Sequence, residues 1–204
     1  MLRGAFAYAR QAATTRGHAV EVRFLQYADP EQPGEIAGNA KTYKFHAVQL
    51  MEILPNGNKI ELGQVQEFPG SIQFDPGQYS SILDISGSAE SGMVAPLLLT
   101  PNAAYDPPLP RKLLPQSGGG SSGTGLGYLY IPIQFQPDGS TNLSQNTLWY
   151  VTIYPISDGV KLASGKAITT INYFTLQVDP ATGSLHTYRP SIVKGGSGNG
   201  GGSI

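Results

Sequence analysis

Leu2-Arg3-Gly4-Ala5-Phe6-Ala7-Tyr8-Ala9-Arg10-Gln11-Ala12-Ala13-Thr14-Thr15-Arg16-Gly17-His18 runs directly into Ala19-Val20-Glu21-Val22-Arg23-Phe24. The change of period between these two stretches decides the fold. Leu2, Phe6, Ala9 and Ala13 recur at spacings that line one face of a helix. Gly17 stands where a helix C-terminal cap belongs, and Arg16 occupies the last turn, where a cation complements the helix dipole. The period then drops to two, with Val20, Val22 and Phe24 on one face of a strand and Glu21 and Arg23 on the other. The pattern predicts a helix over residues 1–16 laid against the first strand of a sheet.

Working outward, Asp29-Pro30-Glu31-Gln32-Pro33-Gly34 is a loop signal. Residues 41–54 form the longest strand-like run, with Tyr43, Phe45, Ala47, Gln49, Met51 and Ile53 alternating against Lys44, His46, Val48, Leu50 and Glu52. Neither set is purely polar, which predicts a strand covered on both faces or bulged midway. Asn56-Gly57 marks a hairpin, and residues 59–68 are expected to pair back. Ile72-Gln73-Phe74 and residues 79–85 read as short strands. Residues 100–126, rich in Pro, Gly and Ser, read as an insertion loop. Regular alternation returns at 128–135, ended by the Pro137-Asp138-Gly139 turn, and at 147–154. Residues 168–178 and 185–188 form a last hairpin closed by Asp179-Pro180-Ala181-Thr182-Gly183. Asp138 and Asp179 have side chains suited to capping turn backbone groups ahead of Gly139 and Gly183. The expected class is α+β, mostly β: an N-terminal helix packed on an antiparallel β-sandwich or a strongly bent sheet. One domain is expected over 1–193, with a disordered Gly-rich tail at 194–204.

The chain has 204 residues with 26 Gly and 16 Pro, and only 13% of residues are charged. That length can bury a sizeable core, and the turn-forming residues fit a β-rich domain. Thirteen basic residues against 14 acidic ones are scattered without a stripe, which argues against nucleic acid as a partner. Zero cysteines exclude disulfides and thiolate chemistry.

No arrangement of residues names a reaction. His18, His46 and His186 lack helical metal-ligand spacing; His18 reads as a complement to the helix dipole, and the other two as strand residues. Ser121-Ser122 has neither the lysine of a phosphate loop nor the flanks of a nucleophile elbow. Glu52, Glu61, Glu67, Asp75 and Asp84 are carboxylates of the type a glycosidase pairs, but read as solvated outer-face charges. No EF-hand spacing supports calcium. No catalytic residue, metal or cofactor is therefore expected.

The wording AYARQAATTRGHAVEVRF over residues 7–24, the turn Phe135-Gln136-Pro137-Asp138-Gly139-Ser140 and the hairpin from Phe174 through Gly183 to Pro190 occur in an order that resembles H-type minor pseudopilins. These are pilin-like subunits of type II secretion and pilus-assembly machines. The combination is most similar to the Verru_Chthon cassette protein D group of prepilin-like proteins. The resemblance implies a non-catalytic structural subunit that assembles with other pilin-like subunits through its helix, with Leu2, Phe6, Ala9 and Ala13 packing on the sheet. Asn56, Gly57, Asp138, Gly139, Asp179 and Gly183 would hold the turns. It also implies a domain facing the periplasm or cell surface, held at the inner membrane by an apolar helical segment. The chain departs from the family's pattern here: it shows neither a basic leader nor a run of about 18 apolar residues. A trimmed start, a late start codon and a relative without an anchor all fit that departure. The alternative reading is a carbohydrate- or ligand-binding β-sandwich on the cell surface. Its aromatic platform would come from Leu148-Trp149-Tyr150 and Tyr128-Leu129-Tyr130.

Overall fold

A computed structural model of the chain describes residues 1–29, 31–32, 34–36, 42–75, 79–84, 128–157 and 172–189. The expected insertion loop at 100–126, the tail at 194–204, and residues 85 and 168–171 of the expected strands lie outside the described residues.

Helix α1 spans Leu2–Arg16 and ends at Gly17, whose φ of 71° places it in the left-handed region. There the Gly17 N–H donates to the Ala13 carbonyl at 3.0 Å, capping the last turn as an L-residue with a Cβ would do only under strain. The buried side of α1 carries Leu2, Phe6, Ala9 and Ala13, as their spacing predicts, and also Ala5 and Ala12.

The strands are β1 (Ala19–Tyr27), β2 (Lys44–Ile53), β3 (Lys59–Glu61), β4 (Gln66–Glu67), β5 (Ile72–Phe74), β6 (Leu129–Phe135), β7 (Trp149–Pro155), β8 (Phe174–Val178) and β9 (Leu185–Tyr188). They form two sheets, one ordered β3-β2-β1-β6 with β4 also paired to β2, the other β5-β7-β8-β9. Every pairing is antiparallel. The fold is therefore α+β and mostly β, with two sheets where a single bent sheet was the alternative.

One core joins α1 to both sheets. It contains Phe6 from the helix, Val20, Val22 and Phe24 from β1, Ile131, Ile133 and Phe135 from β6, and Phe74, Trp149, Val151, Leu176 and Val178 from the second sheet. A chain of aromatic contacts runs through it. Phe6 lies with ring centroids 5.9 Å from both Phe24 and Phe135, Phe24 is 5.6 Å from Phe74, and Phe74 is 4.7 Å from Phe68.

The long strand β2 meets both alternatives that its sequence allowed. Pairing with β1 slips between Leu25 and Gln26, so that Leu25 faces Ala47 while Gln26 faces Phe45 and His46 is the extra residue. The bulge returns Phe45 to the same core as Val48 and Leu50. The other face is buried too: Leu25, Tyr27, Ala47, Tyr128 and Tyr130 form a second cluster there.

Two expected strands are modified. Residues 59–68 pair back in two pieces because Gly63, at φ 113°, breaks the ladder while the Leu62 N–H bonds to Leu50 O and its side chain turns inward. Tyr79–Asp84 is irregular. Its serines take over the pairing of β7: Ser80 Oγ accepts from the Thr152 N–H and Ser81 Oγ from the Tyr150 N–H, both at 2.9 Å. Side-chain hydroxyls satisfy these strand amides without a neighbouring strand.

Truncating the ring that joins helix to sheets removes both aromatic contacts and leaves a cavity. Phe6→Ala should lower the unfolding free energy by about 3–5 kcal/mol, read as a lower urea midpoint at unchanged slope. A loss below about 1 kcal/mol would mean that α1 is not part of the core.

Candidate functional site: the clamped helix and its flanks

Two contacts hold α1 in place besides its apolar stripe. The first lies at its C-terminal end. Glu52 of β2 is opposite Val20 of β1 and so points to the helix side of the sheet. Its Oε2 accepts from Arg16 at 2.7 Å, and its Oε1 lies 2.7 Å from His18 Nδ1. The carboxylate is 4% exposed. The hydrogen bond from His18, then those from Arg16, hold its pKa below the ordinary carboxylate value against the opposing effect of burial. Glu52 is therefore not a solvated outer-face charge: the helix terminus supplies the partners that allow it to be buried. Nor is the role of His18 simply to complement the dipole, since it bonds the carboxylate.

The second is the Arg10 guanidinium over Gly139, in one of the two turns that the sequence singled out. Asp138 Oδ1 accepts from the Ser140 hydroxyl at 2.7 Å and the Ser140 N–H at 2.9 Å. Asp179 Oδ1 accepts from the Thr182 N–H at 2.9 Å and the Thr182 hydroxyl at 3.0 Å. These bonds favour the ionised forms and lower both carboxyl pKa values. The turns also dock on each other. The Thr141 N–H and hydroxyl both donate to Pro180 O, at 2.8 and 3.1 Å. Gly183, at φ 63°, leaves so little room that a Cβ there would stand 2.4 Å from Gly139 O and 3.1 Å from the Phe135 ring. The Arg10 guanidinium lies over the Gly139 side of the junction. The structure thus joins Asp138, Gly139, Asp179 and Gly183 beside α1. Asn56 and Gly57 form the β2–β3 hairpin instead, with Asn56 Oδ1 accepting from the Asn58 N–H at 3.0 Å and Gly57 at φ 84°.

The exposed side of α1 divides into two stripes by helical spacing. Arg3, Ala7, Arg10 and Thr14 line one, and Gly4, Tyr8 and Thr15 the other. The arginine stripe, with Gln11 and with Thr15 from the neighbouring stripe, walls a groove of about 550 Å³ that Ser184 and Leu185 line on its far side. A second groove of about 740 Å³ opens at the start of the helix, floored by Phe68, Ile72, Ile153 and Phe174 and rimmed by Arg3 and Arg189. Among the described residues, neither groove has an Asp or Glu in its lining.

Three of the carboxylates weighed as acid–base candidates are engaged elsewhere, and Glu67 is exposed, as an outer-face charge should be. Glu52 serves the helix end, Glu61 accepts from Gln49 at 3.0 Å, and Asp75 is buried and accepts from the Tyr79 N–H. Asp75 is the second departure from an outer-face charge. Burial, with the nearby Asp75 carboxylate adding to it, pushes the Tyr154 hydroxyl up to about 12. His46 Nε2 lies 2.7 Å from Glu35, and His186 is exposed. Among the described residues no cluster of three or more His, Cys, Asp or Glu can hold a metal ion. Of the aromatic candidates, Trp149, Tyr128 and Tyr130 are at most 3% exposed and present no platform, while Tyr150 is half-buried beside the exposed Leu148.

Sequence reasoning missed the charged pair behind the sheet. Glu21 and Arg23 sit on the β1 face away from α1, yet both are fully buried and bonded to each other. Gln134 donates to Glu21 at 3.2 Å, Lys59 Nζ is 3.5 Å away, and the Arg23 guanidinium stacks 4.2 Å from the Tyr130 ring centroid. The alternation placed the pair on one face; nothing local to β1 indicated that this face is covered.

No known family model, curated protein or solved structure matches the chain. No helix among the described residues is long and apolar enough to cross a membrane.

The clamp at Glu52 has a pH signature. Its folded pKa is depressed, so its contribution is complete above the unfolded value of about 4.3 and is withdrawn as pH falls through the folded value. Glu52→Gln should cost about 1–3 kcal/mol at neutral pH, with the gap to the parent protein closing towards pH 3 in urea titrations. A gap independent of pH would show that ionisation of Glu52 plays no part.

Proposed function

We propose that this chain is a non-catalytic structural subunit, a minor pseudopilin-like component of a type II secretion or type IV pilus-like filament. The observation that carries the reading is the docking of α1. Its apolar side is fixed lengthwise onto strands of both sheets, while Gly4, Tyr8 and Thr15 remain exposed along the opposite side. A helix held this rigidly can present one side to a neighbouring subunit without loosening its own domain.

The start of the helix supports the same role. Met1 is exposed, and the apolar groove of Phe68, Ile72, Ile153 and Phe174 opens beside it. An apolar surface at the end of a docked rod suits packing against another helix, where burial contributes about 25 cal/mol per Å². In this reading the partners are other pilin-like subunits. The domain faces the periplasm or cell surface, and its tie to the inner membrane is an apolar helical segment outside this chain. The turns beside α1 hold its bearing relative to the sheets, so the mechanism is assembly and not turnover.

A photo-crosslinking side chain in place of Tyr8, introduced into the producing cells, tests this. The expected result is crosslinks to pilin-like subunits in the membrane or sheared-filament fraction. A monomer recovered without crosslinks from the soluble fraction would overturn the proposal.

A further inference from the structure

The groove at the start of α1 has a charged rim that the filament reading leaves unused. Its floor is apolar. Phe68, Ile153 and Phe174 pack against the core yet stay half-buried, and with Ile72 they turn apolar surface to the groove. The volume of about 740 Å³ falls within the roughly 300–1,000 Å³ usual for small-ligand sites, which join an apolar lining to a few placed polar groups.

The rim supplies those groups, and their charge has one sign. The Arg189 guanidinium carbon lies 5.5 Å from the centroid of the Phe174 ring, a cation–π contact that holds the cation against the apolar floor. A guanidinium stacked on a ring keeps its N–H edge for a planar anion, which a carboxylate matches with two parallel hydrogen bonds. Arg3 is the second cation of the rim. Both arginines are exposed, and among the described residues neither is ion-paired and no Asp or Glu lines the groove. Anionic membrane surfaces are recognised by clusters of about 4–8 Lys or Arg. Two cations beside an apolar floor suit a single anionic head with one apolar chain.

We propose that this groove binds a long-chain fatty acid. The chain lies along Phe68, Ile72, Ile153 and Phe174, and the carboxylate pairs with Arg189, with Arg3 adding to the positive field. Burial of methylenes supplies most of the affinity, and the arginines select the anion. An acyl chain and a neighbouring helix cannot fill the groove together, so within the filament reading the ligand belongs to the subunit before assembly. Binding of the acid is measured on the isolated chain and the filament contact by crosslinking from Tyr8, so either proposal can fail alone.

The test titrates the full chain with dodecanoate, below its micelle concentration, by calorimetry and by mapping of amide chemical shifts. Saturable binding to one site is expected, with shifts centred on Phe68, Ile72, Ile153, Phe174 and Arg189. Octanoate should bind at least about tenfold more weakly, since it buries fewer methylenes. Binding should weaken about tenfold in Arg3→Gln/Arg189→Gln, whose two sites are exposed and outside the core, and about tenfold for dodecanol on the unaltered chain. Any one of the following would overturn the proposal: no binding of dodecanoate, equal affinity for octanoate, equal binding of dodecyltrimethylammonium, undiminished binding to the double variant, or shifts centred outside the groove. Co-sedimentation with phosphatidylglycerol vesicles without binding of dodecanoate would likewise overturn it, and would assign the arginines to a membrane surface.

Discussion

The placement of Phe6 is the constraint on which the rest depends. One ring from the helix lies between Phe24 of β1 and Phe135 of β6, and through Phe24 it connects to Phe74 of the second sheet. Aromatic pairs of this kind contribute about 0.5–1.5 kcal/mol each beyond the area they bury. Because Phe135 also supports the close approach of Gly183 to Gly139, the same ring stack sets where the two turns meet. The alanines at 5, 9, 12 and 13 let the helix backbone approach the strands closely, which brings Phe6 within reach of both rings.

The two faces of the first sheet are built on different chemistry. Towards α1 the sheet is apolar, and its one carboxylate, Glu52, is neutralised by the helix end. On the far face the Glu21–Arg23 pair is buried with Gln134, Lys59 and Tyr130 around it. A buried pair of this kind adds little net stability over an apolar replacement, but losing one partner leaves a charge that costs about 3–5 kcal/mol. Such a pair favours a single register between β1 and β6, since a one-residue slip would carry both charges to the opposite, apolar face.

Much of this was legible in the sequence, and the illegible parts share a cause. The helix stripe, the period of β1, and the Asp–Gly turns are encoded within a few consecutive residues, so Leu2, Phe6, Asp138 and Asp179 could be placed before any fold was known. Residues whose roles depend on distant partners could not be placed so. Glu52 looks like a surface charge until Arg16 and His18 arrive from 36 and 34 positions away. Ser80 and Ser81 look like strand residues until their hydroxyls meet β7 amides, 72 and 69 positions on. The pattern in β2 allowed a bulge, but only pairing with β1 puts it at His46. Alternation separates faces; it does not say what covers them.

Native-state hydrogen exchange of α1 tests the account most directly. If the helix is clamped by Phe6 and its flanking turns, the amides of Ala9, Ala12 and Ala13 open only with the core and share the exchange free energy and denaturant dependence of Val22 and Phe24. Exchange of the helix amides far faster than the β1 amides, and insensitive to denaturant, would contradict the account by showing a helix that frays from an independently stable pair of sheets.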